Sequence, residues 1–261
     1  MDLKNYKIVT SGDKNYFKFL WRFENNVFKQ FGEYPIIYDL GLTDSQKVKL
    51  KSKIFEVKIP EDYSGYTTSG FIKTTHKPFC IIDFFTRYNL NCIYLDADIL
   101  FSNKVKSNNF LFENFDIAVT PRHPIEQYEK LFTNGLINAG VIFFNNNKNT
   151  INFINLWIEE CKKENTSDQL ALSNLLSKNK DDFFNKNQLY LKNLKVKLLD
   201  PKKYNDVSLT KGLILHYKNA GRFKNAFKRY CIEYFIIQNS VPIRTGYVFY
   251  IKMKRLLKKI V

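Results

Sequence analysis

CIYLDADILF, residues 92–101, decides how this chain is read. Its flanks are apolar enough for a strand covered on both faces, yet it carries two acids, Asp96 and Asp98, two positions apart. Parallel strands buried on both faces are built from continuous apolar runs of this kind. If the backbone stays extended, residues two apart project to the same side, so the two carboxylates point together. Parallel carboxylates repel unless a cation sits between them or water screens them. In an open parallel sheet the carboxyl ends of the strands face the ligand crevice, and Asp96 directly follows the apolar run. Position and charge together point to a divalent cation, and oxygen ligands suit Mg²⁺ or Mn²⁺. The alternative is an exposed strand end or turn, where aspartate is common, and Asp-x-Asp is short and frequent by chance.

Working outward, β-rich runs at 6–10, 34–38, 54–59 and 92–95 alternate with helical patterns. Tyr16, Leu20, Phe23, Val27 and Phe31 recur at spacings of three and four, which predicts a helix with one buried face. A second helix is expected over 78–88, opening at Pro78, a residue suited to a first helical position. Strand, helix, strand with apolar strands predicts an α/β fold with a Rossmann-like, mainly parallel sheet and helices on both faces. Beyond residue 101, strands are expected at 116–120 and 137–145, then a helix capped by Thr150 and another capped by Ser167. Short strands follow around VKLL (196–199) and LILHY (213–217). No linker rich in Pro, Gly or Ser separates the halves, so residues 1–240 are expected to share one sheet in one domain, with a basic tail at 241–261.

With 261 residues, 44% hydrophobic and 16% aromatic, the chain can bury a sizeable core, which argues against disorder. A formal charge of +16 attracts anions, whether nucleic acid, nucleotide phosphates or an anionic membrane. The N-terminus MDLKNYKIVT has no apolar signal segment, and no run reaches the roughly 18–20 charge-poor residues that span a bilayer, so a cytoplasmic protein is expected. Cys80, Cys92, Cys161 and Cys231 are widely spaced in apolar surroundings and read as buried free thiols, consistent with a reducing compartment.

CIYLDADILF resembles the Asp-x-Asp strand of nucleotide-sugar glycosyltransferases with the GT-A fold, in particular the glycogenin-like and bacterial lipopolysaccharide galactosyltransferase-like group. Further segments follow in that group's order. IVTSGDKNYFKFL (8–20) is similar to its first strand and turn, and KPFCIIDFF (77–85) to the helix ahead of the Asp-x-Asp strand. INAGVIFFN (137–145) resembles its Asn-Ala-Gly strand, TSDQLAL (166–172) its Asp-Gln helix start, and LILHYKNAGRFK (213–224) its late His, Gly and Lys segment.

The resemblance implies a GT-A-type fold and a metal-dependent transfer of a hexose from a UDP-sugar to a glycan or lipid-linked saccharide, with retention at the anomeric carbon. It implies Asp96, Asp98 and His216 as ligands of Mn²⁺ or Mg²⁺, where a histidine satisfied in the core is the other reading of His216. It implies donor contacts from Ser11, Asp13, Asn15, Tyr16, Lys77, Asp96, Asn138 and Gly140, with Lys218, Arg222 and Lys224 meeting the diphosphate. Tyr16 would stack on the base or pack in the core, and Lys77 could equally be solvated surface. The spacing departs from the group's H-x-x-G-x-x-K, because Gly221 lies five after His216 and Lys224 three beyond that. Asp168 and Gln169 would act at the donor sugar and its anomeric carbon, although an Asp in a first turn also simply favours the helix dipole.

The tail RTGYVFYIKMKRLLKKIV (244–261) is aromatic, then basic, and could lie on an anionic leaflet or pack on the domain. Two other functions fit parts of the pattern. A sugar-nucleotide nucleotidyltransferase would need a Gly-rich first loop, and TSGDKNY has one Gly. A basic nucleic-acid binder would need a recognition motif, and the sequence shows no helix-turn-helix, RNP-type or zinc-finger pattern, so no nucleic-acid partner is expected.

Overall fold

The protein is described by a computed structural model over residues 5–57, 75–110, 112–123, 126, 135–163, 166–176, 188–191, 193–209, 211–218, 220–221 and 223–239. The tail at 241–261 and Arg222 lie outside these described residues.

The chain opens with β1 (Tyr6–Gly12), α1 (Phe17–Phe31), β2 (Ile36–Asp39), the single turn α2 (Asp44–Lys47) and β3 (Lys53–Glu56). α3 (Lys77–Arg87) leads into β4 (Asn91–Leu95) and β5 (Ile99–Phe101). β6 (Ile117–Pro121) and β7 (Ile137–Phe144) precede α4 (Lys148–Cys161) and α5 (Asp168–Leu176). β8 (Gln188–Leu191), β9 (Leu194–Leu198), α6 (Pro201–Tyr204), β10 (Ile214–His216) and α7 (Lys224–Gln238) follow.

Among the described residues, eight strands form one sheet in the order β3-β2-β1-β4-β7-β6-β9-β8, and β10 pairs with β5 in a separate two-stranded ribbon. β1, β2, β3 and β4 run parallel, as expected from their apolar runs. β7 runs antiparallel to both its neighbours, β4 and β6, so its N-terminal residues stand at the same edge as the C-terminal ends of β1 and β4.

Residues alternate between two cores across this sheet. Val9, Cys92, Tyr94, Ile117, Ile142 and Phe144 face α3, α4 and α5. Ile8, Ile93, Ala118, Val141 and Phe143 face the opposite layer, where α1 contributes Phe23, Val27 and Phe31. That period of two, inside strands buried on both faces, is what places helices on both sides.

The helical stripe on α1 behaves as the spacing predicts from Leu20 to Phe31, with Leu20, Phe23, Val27 and Phe31 all buried. Tyr16 departs from it: it stands before the helix at the N-cap and is 39% exposed. α4 starts earlier than its sequence signal. Its cap is Asn147, whose side chain accepts from the Thr150 backbone N–H, so Thr150 lies inside the first turn instead of capping it. Asn is as strong an N-cap as any residue, and the run of asparagines before Lys148 hides which one serves. α5 does start after Ser167, whose hydroxyl accepts from the Leu170 N–H at 3.2 Å.

All four cysteines are free thiols, three of them buried. Among the described residues no helix is long and apolar enough to cross a membrane.

Candidate active site

Asp96 and Asp98 occupy the turn between β4 and β5 instead of an extended strand. The turn achieves what the pleat was expected to do. β10 lies antiparallel to β5 with His216 paired to Ile99, and the Tyr217 N–H donates to the Asp98 carbonyl at 3.0 Å. That register sets His216 Nε2 3.4 Å from Asp98 Oδ1 and 3.8 Å from Asp96 Oδ2. One ligand atom from each of the three residues lies within 4.8 Å of the others. Ligand atoms at right angles around an ion with metal–oxygen distances near 2.1 Å stand about 3 Å apart, so these separations would have to close by up to about 2 Å to form a coordination set. Two carboxylate oxygens and one imidazole nitrogen are a donor set that suits Mn²⁺ or Mg²⁺.

Gly140 forms the wall of this cluster. A Cβ there would lie 2.4 Å from His216 Cε1 and 2.9 Å from Asp96 Oδ2. The close approach comes from an irregularity in β7. Val119 pairs with Ile142, but the next residue, Thr120, pairs with Asn138, so Ala139, Gly140 and Val141 bulge outward from β6. Bulges of this type re-aim side chains beside active sites. Here the bulge is fastened by the Asn138 side chain, whose Oδ1 accepts from the Gly140 N–H at 2.9 Å, and by the Asp96 N–H donating to the Gly140 carbonyl at 2.9 Å. The buried amide nitrogen of Asn138 has no hydrogen-bond partner among the described residues.

Lys77, the first residue of α3, links the two acidic positions. Its ammonium pairs with Asp96 Oδ1 at 2.9 Å and Asp168 Oδ2 at 3.0 Å and donates to the Ala139 carbonyl at 3.1 Å. Lys77 is therefore not solvated surface, its side chain being 13% exposed. It bridges the Asp96 and Asp168 carboxylates. Burial works to discharge Lys77, but Asp168 and Asp96 outweigh it and hold the ammonium above the usual lysine range. Burial pushes the Asp168 carboxyl above the ordinary carboxylate range, and Lys77 opposes that shift.

Asp168 and Gln169 are fixed at the start of α5. Asp168 Oδ1 accepts from the Gln169 N–H at 2.7 Å, and the Trp157 indole N–H donates to the Asp168 carbonyl at 2.8 Å. Gln169 Oε1 accepts from the Ala139 N–H at 3.4 Å, so the Asp-Gln helix start meets the Asn-Ala-Gly bulge.

The first turn is more tightly self-bonded than its sequence suggests. Ser11 Oγ and Tyr94 Oη are 2.5 Å apart, and Asp13 Oδ1 accepts the N–H groups of Asn15 and Tyr16 at 2.9 and 3.1 Å. Tyr16 reaches the late basic segment, since a Cβ on Gly221 would lie 3.1 Å from its hydroxyl. Lys218 donates to Glu126 Oε1 at 2.6 Å, and burial pushes its ammonium below the usual lysine range. Lys224 is exposed at the first position of α7.

Sequence reasoning missed the residues that hold His216. Asn205 Oδ1 lies 2.7 Å from His216 Nδ1, and Asn205 Nδ2 donates to Thr120 Oγ1 at 2.8 Å. Asp206 organises the approach to β10: its carboxylate accepts from the N–H groups of Leu209 at 2.9 Å, Lys211 at 3.1 Å and Gly212 at 2.9 Å. Its backbone bridges Leu215, with the His216 N–H donating to the Asp206 carbonyl at 3.1 Å. Asp side chains commonly accept from backbone N–H groups just ahead of them in turns, and that was the available clue to Asp206.

The sequence profile of the family described as "Nucleotide-diphospho-sugar transferase" matches residues 45–242. A search among curated proteins gave no match. Several solved glycosyltransferases share the fold at low identity. The galactosyltransferase LgtC, in complex with donor and acceptor sugar analogs, is 16% identical with a TM-score of 0.54, covering 88% of this chain and 96% of its own. A glycosyltransferase involved in glycosylation of the major capsid of PBCV-1 is 11% identical with a TM-score of 0.52, covering 88% and 100%. GlyE of Streptococcus pneumoniae TIGR4 is 18% identical with a TM-score of 0.51, covering 94% and 64%. With the family profile spanning most of the chain and the parallel sheet ending on an acidic and histidine cluster, the chain belongs to the nucleotide-diphospho-sugar transferases, as a glycosyltransferase of GT-A fold.

Proposed function

We propose that the protein is a divalent-cation-dependent hexosyltransferase that takes its sugar from a UDP-sugar and passes it, with retention, to a glycan or lipid-linked saccharide. The observation that carries this reading is the convergence of Asp96, Asp98 and His216 against Gly140, with Lys77 tying Asp96 to Asp168. Asp96, Asp98 and His216 would hold Mn²⁺ or Mg²⁺. Once bound, that ion supplies Lewis-acid neutralisation of the charge that builds on the departing nucleoside diphosphate.

The chain's own groups divide the remaining work. Lys218 and Lys224 add positive charge along the diphosphate, electrostatic help that is strongest where water is excluded. Tyr16, partly exposed beside Ser11, Asp13 and Asn15, stacks on the uracil. The unpartnered amide nitrogen of Asn138 donates to a sugar hydroxyl, which supports a polar ligand at that wall. Asp168 orients the sugar while Lys77 holds its carboxylate in place, and Gln169 lies by the anomeric carbon. Transfer follows a front-face path through an oxocarbenium-like state, and the leaving phosphate takes the acceptor's proton. NMR of the product's anomeric proton tests this, since inversion from a UDP-α-sugar would overturn retention.

The decisive assay is Mn²⁺-dependent UDP release from UDP-glucose, UDP-galactose and their N-acetyl analogues. Asp96→Asn and Asp98→Asn are each expected to lower turnover at least about 100-fold. Pyrophosphate release in place of UDP would point to a nucleotidyltransferase. The basic tail at 241–261 would bring the enzyme to an anionic membrane carrying its acceptor, each Lys or Arg adding about 1 kcal/mol near the surface. A chain truncated before Arg244 that still sediments with anionic liposomes would refute that role.

A further inference from the structure

His216 carries two ring nitrogens, and only one can face the acidic pair. Nε2 does so, at 3.4 and 3.8 Å from the carboxylate oxygens of Asp98 and Asp96. A charge-assisted N–H···O bond is about 2.7–2.9 Å long, so these separations are those of a nitrogen that directs no proton at either acid. The other nitrogen, Nδ1, is 2.7 Å from Asn205 Oδ1, a full hydrogen bond.

Which atom of Asn205 faces the ring is decided one step further back. Asn205 Nδ2 lies 2.8 Å from Thr120 Oγ1, and the single Thr120 hydroxyl proton is directed at the Asn138 carbonyl, 3.4 Å away. The hydroxyl therefore accepts from the amide nitrogen, which leaves the amide oxygen for the ring. Every member is buried: Thr120 at 0%, Asn138 and Asn205 at 1% and His216 at 3% exposure, where an unpaired polar group is costly. The relay starts on the same β7 bulge that carries Gly140, so the wall of the site and the tautomer of its histidine are set by one element.

We propose that Asn205, backed by Thr120, is a positioning residue that keeps the proton of His216 on Nδ1 and presents the Nε2 lone pair to a divalent cation held with Asp96 and Asp98. This inference rests on the cation-dependent reading above. Histidine ligands commonly use such an outer partner to fix tautomer and ring orientation, and losing it weakens metal affinity by about 10–100-fold. Asn205 reaches its place through α6 and the bridge between Asp206 and Leu215, which lay the strap 200–206 beside β10.

The test uses the full chain and two measurements. Long-range ¹H–¹⁵N NMR of His216 in metal-free protein reports the tautomer, and calorimetric titration with MnCl₂ reports affinity. Wild type is expected to show the Nδ1–H form and to bind Mn²⁺. Asn205→Leu, of similar volume without an acceptor, is expected to lose that form and to bind about 10–100-fold more weakly. Asn205→Asp, which still accepts from Nδ1, is expected to keep the tautomer and stay within a few-fold of wild type. If Asn205→Leu does not fold, Thr120→Val, which frees the amide to turn, is expected to mix the tautomers and weaken binding. An Nε2–H tautomer in wild type, or equal loss in Asn205→Asp and Asn205→Leu, overturns the proposal. A wild type that binds no Mn²⁺ yet holds the Nδ1–H form would sink the cation-dependent function instead and leave the relay standing.

Discussion

Replacing Gly140 by alanine would put a methyl carbon 2.4 Å from His216 Cε1, 2.9 Å from His216 Nδ1 and 2.9 Å from Asp96 Oδ2. Carbon atoms at rest are about 3.5–4.0 Å apart, so the ring must retreat by about 1 Å or the bulge must move outward. Neither is cheap. The ring is tied to Asn205 at 2.7 Å and is 3% exposed, while the bulge is fastened at Gly140 N and O by Asn138 and Asp96. Gly140 does not have a positive φ, so alanine strains no backbone dihedral and the effect is steric alone. Overpacking of this kind costs about 1–3 kcal/mol in stability. The effect on the site is larger in proportion, because a misplacement near 1 Å in a reacting constellation costs about 100-fold. The expected result for Gly140→Ala is a protein that still folds, loses about 1–3 kcal/mol in urea denaturation and binds Mn²⁺ about 100-fold more weakly by calorimetry. A variant that binds Mn²⁺ within about threefold of wild type would show that Gly140 does not wall the ligand set, and the geometric reading would fail.

Lys77 offers a second test, since Lys77→Met leaves Asp96 and Asp168 facing each other without their shared ammonium. Breaking a buried pair this way costs about 3–5 kcal/mol, and adding Asp168→Asn is expected to restore part of it in a double-mutant cycle read by urea denaturation. Additive losses would refute the coupling. His123 gives a pH signature: burial pushes its imidazole below the ordinary value of 6.5, and Asp206, 3.9 Å away, only partly offsets this. The unfolded chain therefore takes up the proton first, so its contribution is present above about pH 6.5 and is lost as pH falls below it. Thermal melts from pH 8 to 5 are expected to fall less steeply in His123→Asn, by at most about 1.4 kcal/mol per pH unit. Identical slopes would contradict it.

Local pattern carried much of this protein. Apolar runs at 6–10 and 92–95 predicted parallel strands because a strand buried on both faces has no polar side to show. The spacing of Leu20, Phe23, Val27 and Phe31 predicted α1 because 3.6 residues per turn leaves one face to bury. Asp96 and Asp98 were visible as a pair, and so was the ordered set of motifs that placed the chain among GT-A transferases.

Where those side chains meet was decided in three dimensions. The acids converge through a turn, and their partner His216 arrives from a strand far along the chain, set by the register between β5 and β10. Lys77 was marked by the resemblance as a donor contact, with solvated surface as the other reading, and only the packing of α3 set it between Asp96 and Asp168. Asn205 and Thr120 carried no signal, since an amide and a hydroxyl acquire meaning only from what they face. Periodicity is set by the nearest few residues, but which polar atom meets which follows from strand order, one bulge in β7 and the strap beside β10. Those are properties of the packed sheet as a whole.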